Sequence, residues 1–203
     1  FTDFDPLDGE PTINLKYITK KDELSSCDAI ILPGSKTTIA DLNWLNQTGL
    51  ATAIADYHAN GGIVMGICGG FQMLGATIAD PAGIEGIAGE YPGLNLIPLQ
   101  TTITATKTTR QRTTTTKYPH SNISIAGYEI HQGTTKWHST GANIANYEHL
   151  FTDDTLGLVD RGLTIWGTYL HGIFDNGTWR RNWLNQIRTR RHLSPITTDV
   201  LDY

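Results

Sequence analysis

Apolar positions along the chain gather in two kinds of run. Cys27-Asp28-Ala29-Ile30-Ile31-Leu32, stopped by Pro33-Gly34, and Ile63-Val64-Met65-Gly66-Ile67 are short and nearly continuous. Such runs suit strands buried on both faces, as in a parallel sheet covered by helices. Between them Ile39, Leu42, Trp44 and Leu45 share one broad helical face. A second helix is predicted from about Leu50 to Asn60, ended by Gly61-Gly62, and a third over Gly69–Ala79, ended by Asp80-Pro81. The clearest helix comes last: Trp179, Trp183, Leu184 and Ile187 form an apolar stripe read as core, with Asp175 or Asn176 as the cap.

From about Leu96 the pattern turns extended. Residues 101–116 hold ten threonines in sixteen positions, and threonine favours strand over helix. Further strands are predicted at Ile123–Ile125, Gly127–Ile130 and Leu163–Leu170. Residues 1–25, broken by Pro6, Gly9 and Pro11, read as an irregular lead-in in which Tyr17 and Ile18 end a short strand. The fold class is therefore α/β: a mostly parallel central sheet flanked by helices, with an added β-rich region around 95–130. The 203 residues form one domain, with no internal repeat.

Composition narrows the function. At this length roughly 70% of the extended chain's surface is buried on folding. A net charge of -5 argues against a dedicated nucleic-acid binder. Two cysteines, Cys27 and Cys68, make no disulfide scaffold and no C-x-x-C pair. No apolar run reaches a membrane span and no secretory signal opens the chain, so a reducing, cytoplasmic setting is the default. Tyr91–Tyr128 contains no acidic residue, while Lys107, Arg110, Arg112 and Lys117 are basic. That stretch reads as a solvated hairpin tip or as a surface for an acidic partner or polycarboxylate substrate.

The chemistry concentrates at Gly66-Ile67-Cys68-Gly69-Gly70, a G-x-C-x-G between strand and helix. The same context makes a nucleophile elbow of G-x-S-x-G. The sharp turn projects the thiol from the strand end, and small neighbours let strand and helix approach. The helix N-terminus favours thiolate, and the Gly69 N–H is placed to hold an oxyanion. The turn Pro33-Gly34-Ser35 ends the other apolar strand on the same sheet edge, where the N–H groups of Gly34 and Ser35 can complete that hole. Gly34-Ser35-Lys36-Thr37-Thr38 fails the phosphate-loop pattern. Of seven histidines, His171 stands at a strand end before Gly172 and is the favoured base, with His131 as competitor. No histidine pair has helical metal-site spacing, so no metal is expected.

These segments resemble the class I (triad-type) glutamine amidotransferases, and within them the cobyric acid synthase branch. The matching stretches are Phe1-Thr2-Asp3-Phe4-Asp5-Pro6-Leu7, Ile31-Leu32-Pro33-Gly34-Ser35-Lys36, Gly66 to Gly75, Gly127-Tyr128-Glu129-Ile130-His131-Gln132-Gly133 and Gly167 to Asp175. The resemblance implies that Cys68 attacks the side-chain amide of glutamine, with His171 moving the proton to the leaving ammonia. Gln72, His131, Gln132 and Gly133 would contact the bound glutamine. It implies no cofactor in this domain, and ATP and Mg in a synthetase domain that precedes it in the same polypeptide and amidates carboxylates of a corrinoid, cobyrinic acid a,c-diamide. The start at Phe1 rather than Met fits a piece of such a polypeptide. The wider class carries a glutamate two residues after the catalytic histidine. Here that position is Ile173, so the third member is unassigned: Asp175, Glu129 and a simple dyad all stay open. Two other readings compete: a glutaminase subunit of a complex amidating a cell-wall lipid precursor, and a silent interaction domain of the same fold.

Overall fold

The computed structural model describes residues 2–138, 144–198 and 200–203. A 3-10 turn, Thr2–Phe4, runs into the short helix α1 (Asp5–Asp8), and a second turn, Lys21–Ser26, leads to β1 (Ala29–Leu32). Then come α2 (Thr38–Gln47), α3 (Leu50–Ala59), β2 (Ile63–Ile67) and α4 (Gly69–Leu74). Six strands follow: β3 (Thr77–Asp80), β4 (Gly89–Pro92), β5 (Leu99–Thr115), β6 (Ser124–Trp137), β7 (Tyr147–His149) and β8 (Gly157–Asp160). β9 (Ile165–Thr168), β10 (Leu170–His171) and α5 (Gly177–Arg190) complete the order. Among the described residues no helix is long and apolar enough to cross a membrane.

Two five-stranded sheets form, in the orders β1-β2-β9-β8-β7 and β10-β6-β5-β3-β4. The α/β architecture stands as read, with mixed sheets. In the first, β1, β2 and β9 run parallel and β8 and β7 return antiparallel. The continuous apolar runs are explained by two cores, one on each face of this sheet. Ile30, Leu32 and Val64 pack with α2, α3 and α4, while Ile63, Met65 and Ile67 pack with Trp179 and Trp183 of α5. The β-rich region becomes the β5–β6 hairpin of the second sheet.

Four expectations change. The helix read over Gly69–Ala79 stops at Leu74, where Gly75 turns extended and Ala76 N–H donates to Leu99 O at 2.7 Å. Residues 77–80 then alternate in burial as strand β3, a period that Leu74 and Ile78 four apart also satisfy. Leu163–Leu170 is two strands: β9 stays in the first sheet and β10 crosses to pair with β6. Asn176 sits at the α5 N-cap, but its side chain bonds Ala126 instead, and Asp202 caps Gly177 N–H at 2.7 Å. The lead-in is not loose, since Phe4 and Leu7 are buried and Glu10 ties it to α5, but no strand ends at Tyr17 and Ile18, where residues 13–19 carry no regular secondary structure.

That tie is ionic and buried. Glu10 accepts from Arg180 Nε at 2.9 Å and from Arg181 Nη2 at 2.5 Å, with the Glu10 and Arg180 side chains both 5% exposed. Removing the carboxylate strands two guanidinium groups in a dry site. Glu10→Ala should therefore destabilise the protein by about 3–5 kcal/mol, read as a lower urea midpoint. An unchanged midpoint would mean that water, not Glu10, compensates the arginines.

Candidate active site

The parallel strands β1, β2 and β9 end on one edge, and a functional turn leaves each. After β2, Cys68 takes φ 52° and ψ -109°, left-handed backbone that a side chain rarely adopts. Such a residue costs about 1–3 kcal/mol and persists only where its surroundings fix it. Here Cys68 N–H donates to Thr168 O at 2.8 Å and Gln72 N–H donates to Cys68 O at 3.0 Å. The thiol projects from the turn and donates to Ile130 O on β6 at 3.0 Å.

Two glycines make the approach possible. A Cβ on Gly70 would lie 2.1 Å from Leu32 O, and one on Gly34 would lie 2.8 Å from Cε1 of His171 and 3.6 Å from Cβ of Cys68. The turn after β1 is thus pressed against the Cys68 elbow. Ser35 N sits 2.9 Å from where a Gly69 Cβ would be. The Ser35 hydroxyl is used inside its loop, donating to Asp41 Oδ2 at 2.5 Å and accepting from Thr37 N–H at 3.0 Å. Gly34, Ser35 and Gly69 are therefore brought together beside Cys68, as their spacing in the chain anticipates.

His171, on β10, completes the group, its ring and the Cys68 Cβ both lying against Gly34. Its Nδ1 pairs with Asp3 Oδ2 at 2.7 Å, while Asp3 Oδ1 accepts from Gly172 N–H at 2.9 Å. The imidazole pKa is pushed up to about 10 by the Asp3 hydrogen bond first, then by Cys68, against the opposing effect of burial. Burial alone would raise the Asp3 carboxyl. The hydrogen bonds from His171 and Gly172 outweigh it and hold Asp3 below its ordinary 3.8.

Asp3 is the acid that orients His171, and neither candidate left open in the sequence does so. Glu129 is engaged by His131 Nε2 at 3.0 Å and by Arg112 Nε at 3.3 Å. Asp175 lies in the turn after Gly172 with its carboxyl raised, by burial and by the charge of Asp3.

The site opens into a pocket of about 1070 Å³, walled by Cys68, His171, Gln72, His131 and Gln132 among others. Gln72 is buried and clamps the far wall: its Nε2 donates to Gln132 O at 2.8 Å and its Oε1 accepts from Thr38 Oγ1 at 3.4 Å. His131 stacks on Tyr169 with ring centroids 3.9 Å apart, and its Nδ1 is buried without a protein partner. Gly133 is not on the pocket wall. At φ 94° it turns β6 at the bulge facing Thr102, whose carbonyl would be 2.8 Å from a Cβ there. Cys27 is half-buried outside this pocket, and burial, then Asp28, pushes its thiol up.

Comparison with known proteins gives the family. The profile of the CobB/CobQ-like glutamine amidotransferase domain matches residues 1–179. Cobyric acid synthases of Nostoc punctiforme and Synechococcus elongatus are 52% and 55% identical over the whole chain, which spans 41% of each of those proteins. Among solved structures, a glutamine amidotransferase superposes with a TM-score of 0.65 at 15% identity, covering 93% of this chain and 91% of that one. A putative GMP synthase protein from Thermoplasma acidophilum gives 0.53 at 13% identity, over 85% and 79%. The chain belongs to the CobB/CobQ-like glutamine amidotransferase domain family.

The Asp3–His171 pair has a pH signature. His171 is raised in the folded state, so its contribution to stability is complete below 6.5 and is lost as pH rises through about 10. Asp3 is lowered, so its contribution is complete above 3.8 and is lost as pH falls through the depressed value. Asp3→Asn should return the His171 titration towards 6.5, followed by NMR of the imidazole, and should destabilise most between pH 3.8 and 6.5. An unmoved titration would remove Asp3 from this role.

Proposed function

We propose that this chain hydrolyses glutamine at Cys68 and supplies the ammonia to an ATP-dependent synthetase domain of the cobyric acid synthase type. The observation that carries the proposal is the strained Cys68 turn with the His171 ring beside it across Gly34, and Asp3 holding that ring by Nδ1.

The chemistry follows from that order. A cationic His171 favours thiolate on Cys68 beside it. The sulfur attacks the side-chain amide carbon of glutamine, and the carbonyl electrons move to oxygen. The N–H groups of Gly69 and of Gly34 or Ser35 hold that oxyanion. His171 gives its proton to the amide nitrogen, the C–N bond breaks, and ammonia leaves a γ-glutamyl thioester. Neutral His171 then takes a proton from water as the oxygen adds to the thioester, and collapse returns glutamate and the Cys68 thiolate. Because Asp3 accepts from Nδ1, the proton that moves is the one on Nε2. The His131 Nδ1, buried and unpartnered, and the Gln132 backbone held by Gln72 support a role for that wall in binding glutamine.

The acceptor side rests on the relatives. Cobyric acid synthases are more than twice as long as this chain, so the remaining length is where ATP, Mg and the cobyrinic acid a,c-diamide carboxylates would be bound. The setting proposed is cytoplasmic.

In the complete synthase, Cys68→Ala should abolish glutamine-dependent amidation yet leave amidation with added ammonium salt near wild type. The thiol only releases ammonia and takes no part in activating the carboxylate. Equal loss with both nitrogen donors would assign Cys68 to folding or domain contact. Wild-type glutamine turnover coupled to another acceptor would exclude the corrinoid while keeping the glutaminase.

A further inference from the structure

The glutamine pocket has a carboxylate that the proposed chemistry leaves unused. Glu85 lines its wall together with Ser35, Thr38 and Asp41. It belongs to the loop of residues 81–88 between β3 and β4, in which Gly83 and Glu85 alone are not exposed. Ile84 and Ile87 of the same loop stay exposed, so apolar packing does not hold the loop in place. Polar bonds do. Asp80, fully buried at the end of β3, accepts from Ile84 N–H at 2.9 Å and from Glu85 N–H at 2.8 Å. Gly83 and Gly86, at φ 65° and 152°, let the backbone fold tightly on either side. The Glu85 side chain then reaches α2, where its Oε2 accepts from Ile39 N–H at 2.9 Å.

That bond meets a need of the helix. The first N–H groups of a helix have no partner within it. Thr37, at the α2 N-cap, makes no side-chain cap bond. The cap comes instead from Glu85, 46 positions along the chain from Ile39, and its charge suits the positive end of the helix. What the cap holds is the segment that carries the oxyanion donors. Ser35 lies just before α2, and its hydroxyl is bonded to Thr37 N–H and to Asp41. Thr38, the first residue of the helix, is buried and donates to Gln72 Oε1 at 3.4 Å. A shift at the start of α2 therefore passes both to the Gly34-Ser35 turn and to Gln72.

We infer that Glu85 is a positioning residue: by capping α2 it fixes the Gly34 and Ser35 N–H groups where the oxyanion formed at Cys68 needs them. This rests on the glutaminase reading of the site. Glu85 acts through the turn and not on the reacting atoms. What matters is the reach of an acceptor oxygen to Ile39 N–H, not the negative charge on the pocket wall.

The experiment compares Glu85→Gln, which keeps an acceptor at the same reach, with Glu85→Asp, which keeps the charge but is one methylene group shorter. Both are made in the full-length protein, and glutamate release is followed against glutamine concentration. Glu85→Asp should lower kcat about 100-fold with KM little changed, the effect of displacing a catalytic group by an ångström. Glu85→Gln should stay within about fivefold of wild type, the difference between a charged and a neutral acceptor. Amide exchange at Ile39 reads the cap independently of catalysis: about tenfold faster in Glu85→Asp and near wild type in Glu85→Gln. Full turnover by Glu85→Asp would overturn the inference, and faster exchange with unchanged kcat would assign Glu85 to helix stability alone. The opposite pattern, an active Glu85→Asp and a raised KM in Glu85→Gln, would also overturn it, because Glu85 would then be a contact for the α-ammonium of glutamine. Wild-type glutamate release is measured alongside. Its absence would defeat the glutaminase reading and this inference with it, whereas the variant pattern in an active wild type bears on Glu85 alone.

Discussion

Thr168 holds the two halves of the site together. Its carbonyl accepts from Cys68 N–H at 2.8 Å, and its hydroxyl accepts from Leu170 N–H at 3.0 Å while donating to Leu156 O at 2.9 Å. The residue is fully buried, at the point where the chain leaves the first sheet as β9 and enters the second as β10. A strand that changes sheets gives up ladder bonds at the crossing, and buried backbone groups must be satisfied elsewhere. The threonine hydroxyl does this while its carbonyl pins the elbow. Cys68 follows a strand of the first sheet and His171 lies in the second, yet both hang on one residue. Around it there is no slack: the turns after β1 and β2 touch through Gly70 and Leu32, and a side chain at Gly34 would meet the His171 ring.

What is legible in the sequence is local. The Cys68 elbow shows itself by a strand, a G-x-C-x-G and a helix in immediate succession. Gly34, Ser35 and His171 follow from the rule that parallel strands present their C-terminal ends on one edge. What stays concealed is long-range or degenerate. Asp3 meets His171 across 168 positions of chain, and no local spacing marks such a pair among twenty acidic residues. The helix after Cys68 reads too long because Leu74 and Ile78 satisfy both periods, and the Gly75 backbone packed on Leu99 decides for strand. β7 and β8 leave no periodic signal of their own: they are three and four residues long, and β8, although Leu158 and Val159 are buried, is too short to show a period. Gly133 sits beside residues that wall the pocket, but its positive φ serves the register break where residues 103–106 of β5 bulge opposite it.

The basic, acid-free stretch also resolves by tertiary contact. Arg112 finds its acids elsewhere in the chain, with Glu129 at 3.3 Å and a second, closer pair to Asp153. Glu129 also holds His131 Nε2, and His131 lies flat on Tyr169. The hairpin's charge is thus spent partly in fixing the ring that walls the pocket. Lys107 stands on the pocket wall itself, so the stretch is neither wholly a solvated tip nor wholly an external surface.

The two histidines of the pocket are held by the same device in different settings. Each gives one ring nitrogen to a carboxylate, His171 to Asp3 and His131 to Glu129. His171 has only that carboxylate and Cys68 to satisfy, and both favour its charged form, so its proton is retained to about pH 10. Glu129 is shared with a guanidinium, Arg112 Nε at 3.3 Å. Asp3 gives one oxygen to the imidazole and the other to the Gly172 N–H. A carboxylate divided between imidazole and guanidinium chiefly orients the ring, leaving His131 Nδ1 buried and free to meet a ligand. At two histidines bordering one pocket, the contrast lies in what else each carboxylate holds: a backbone N–H for Asp3, a guanidinium for Glu129.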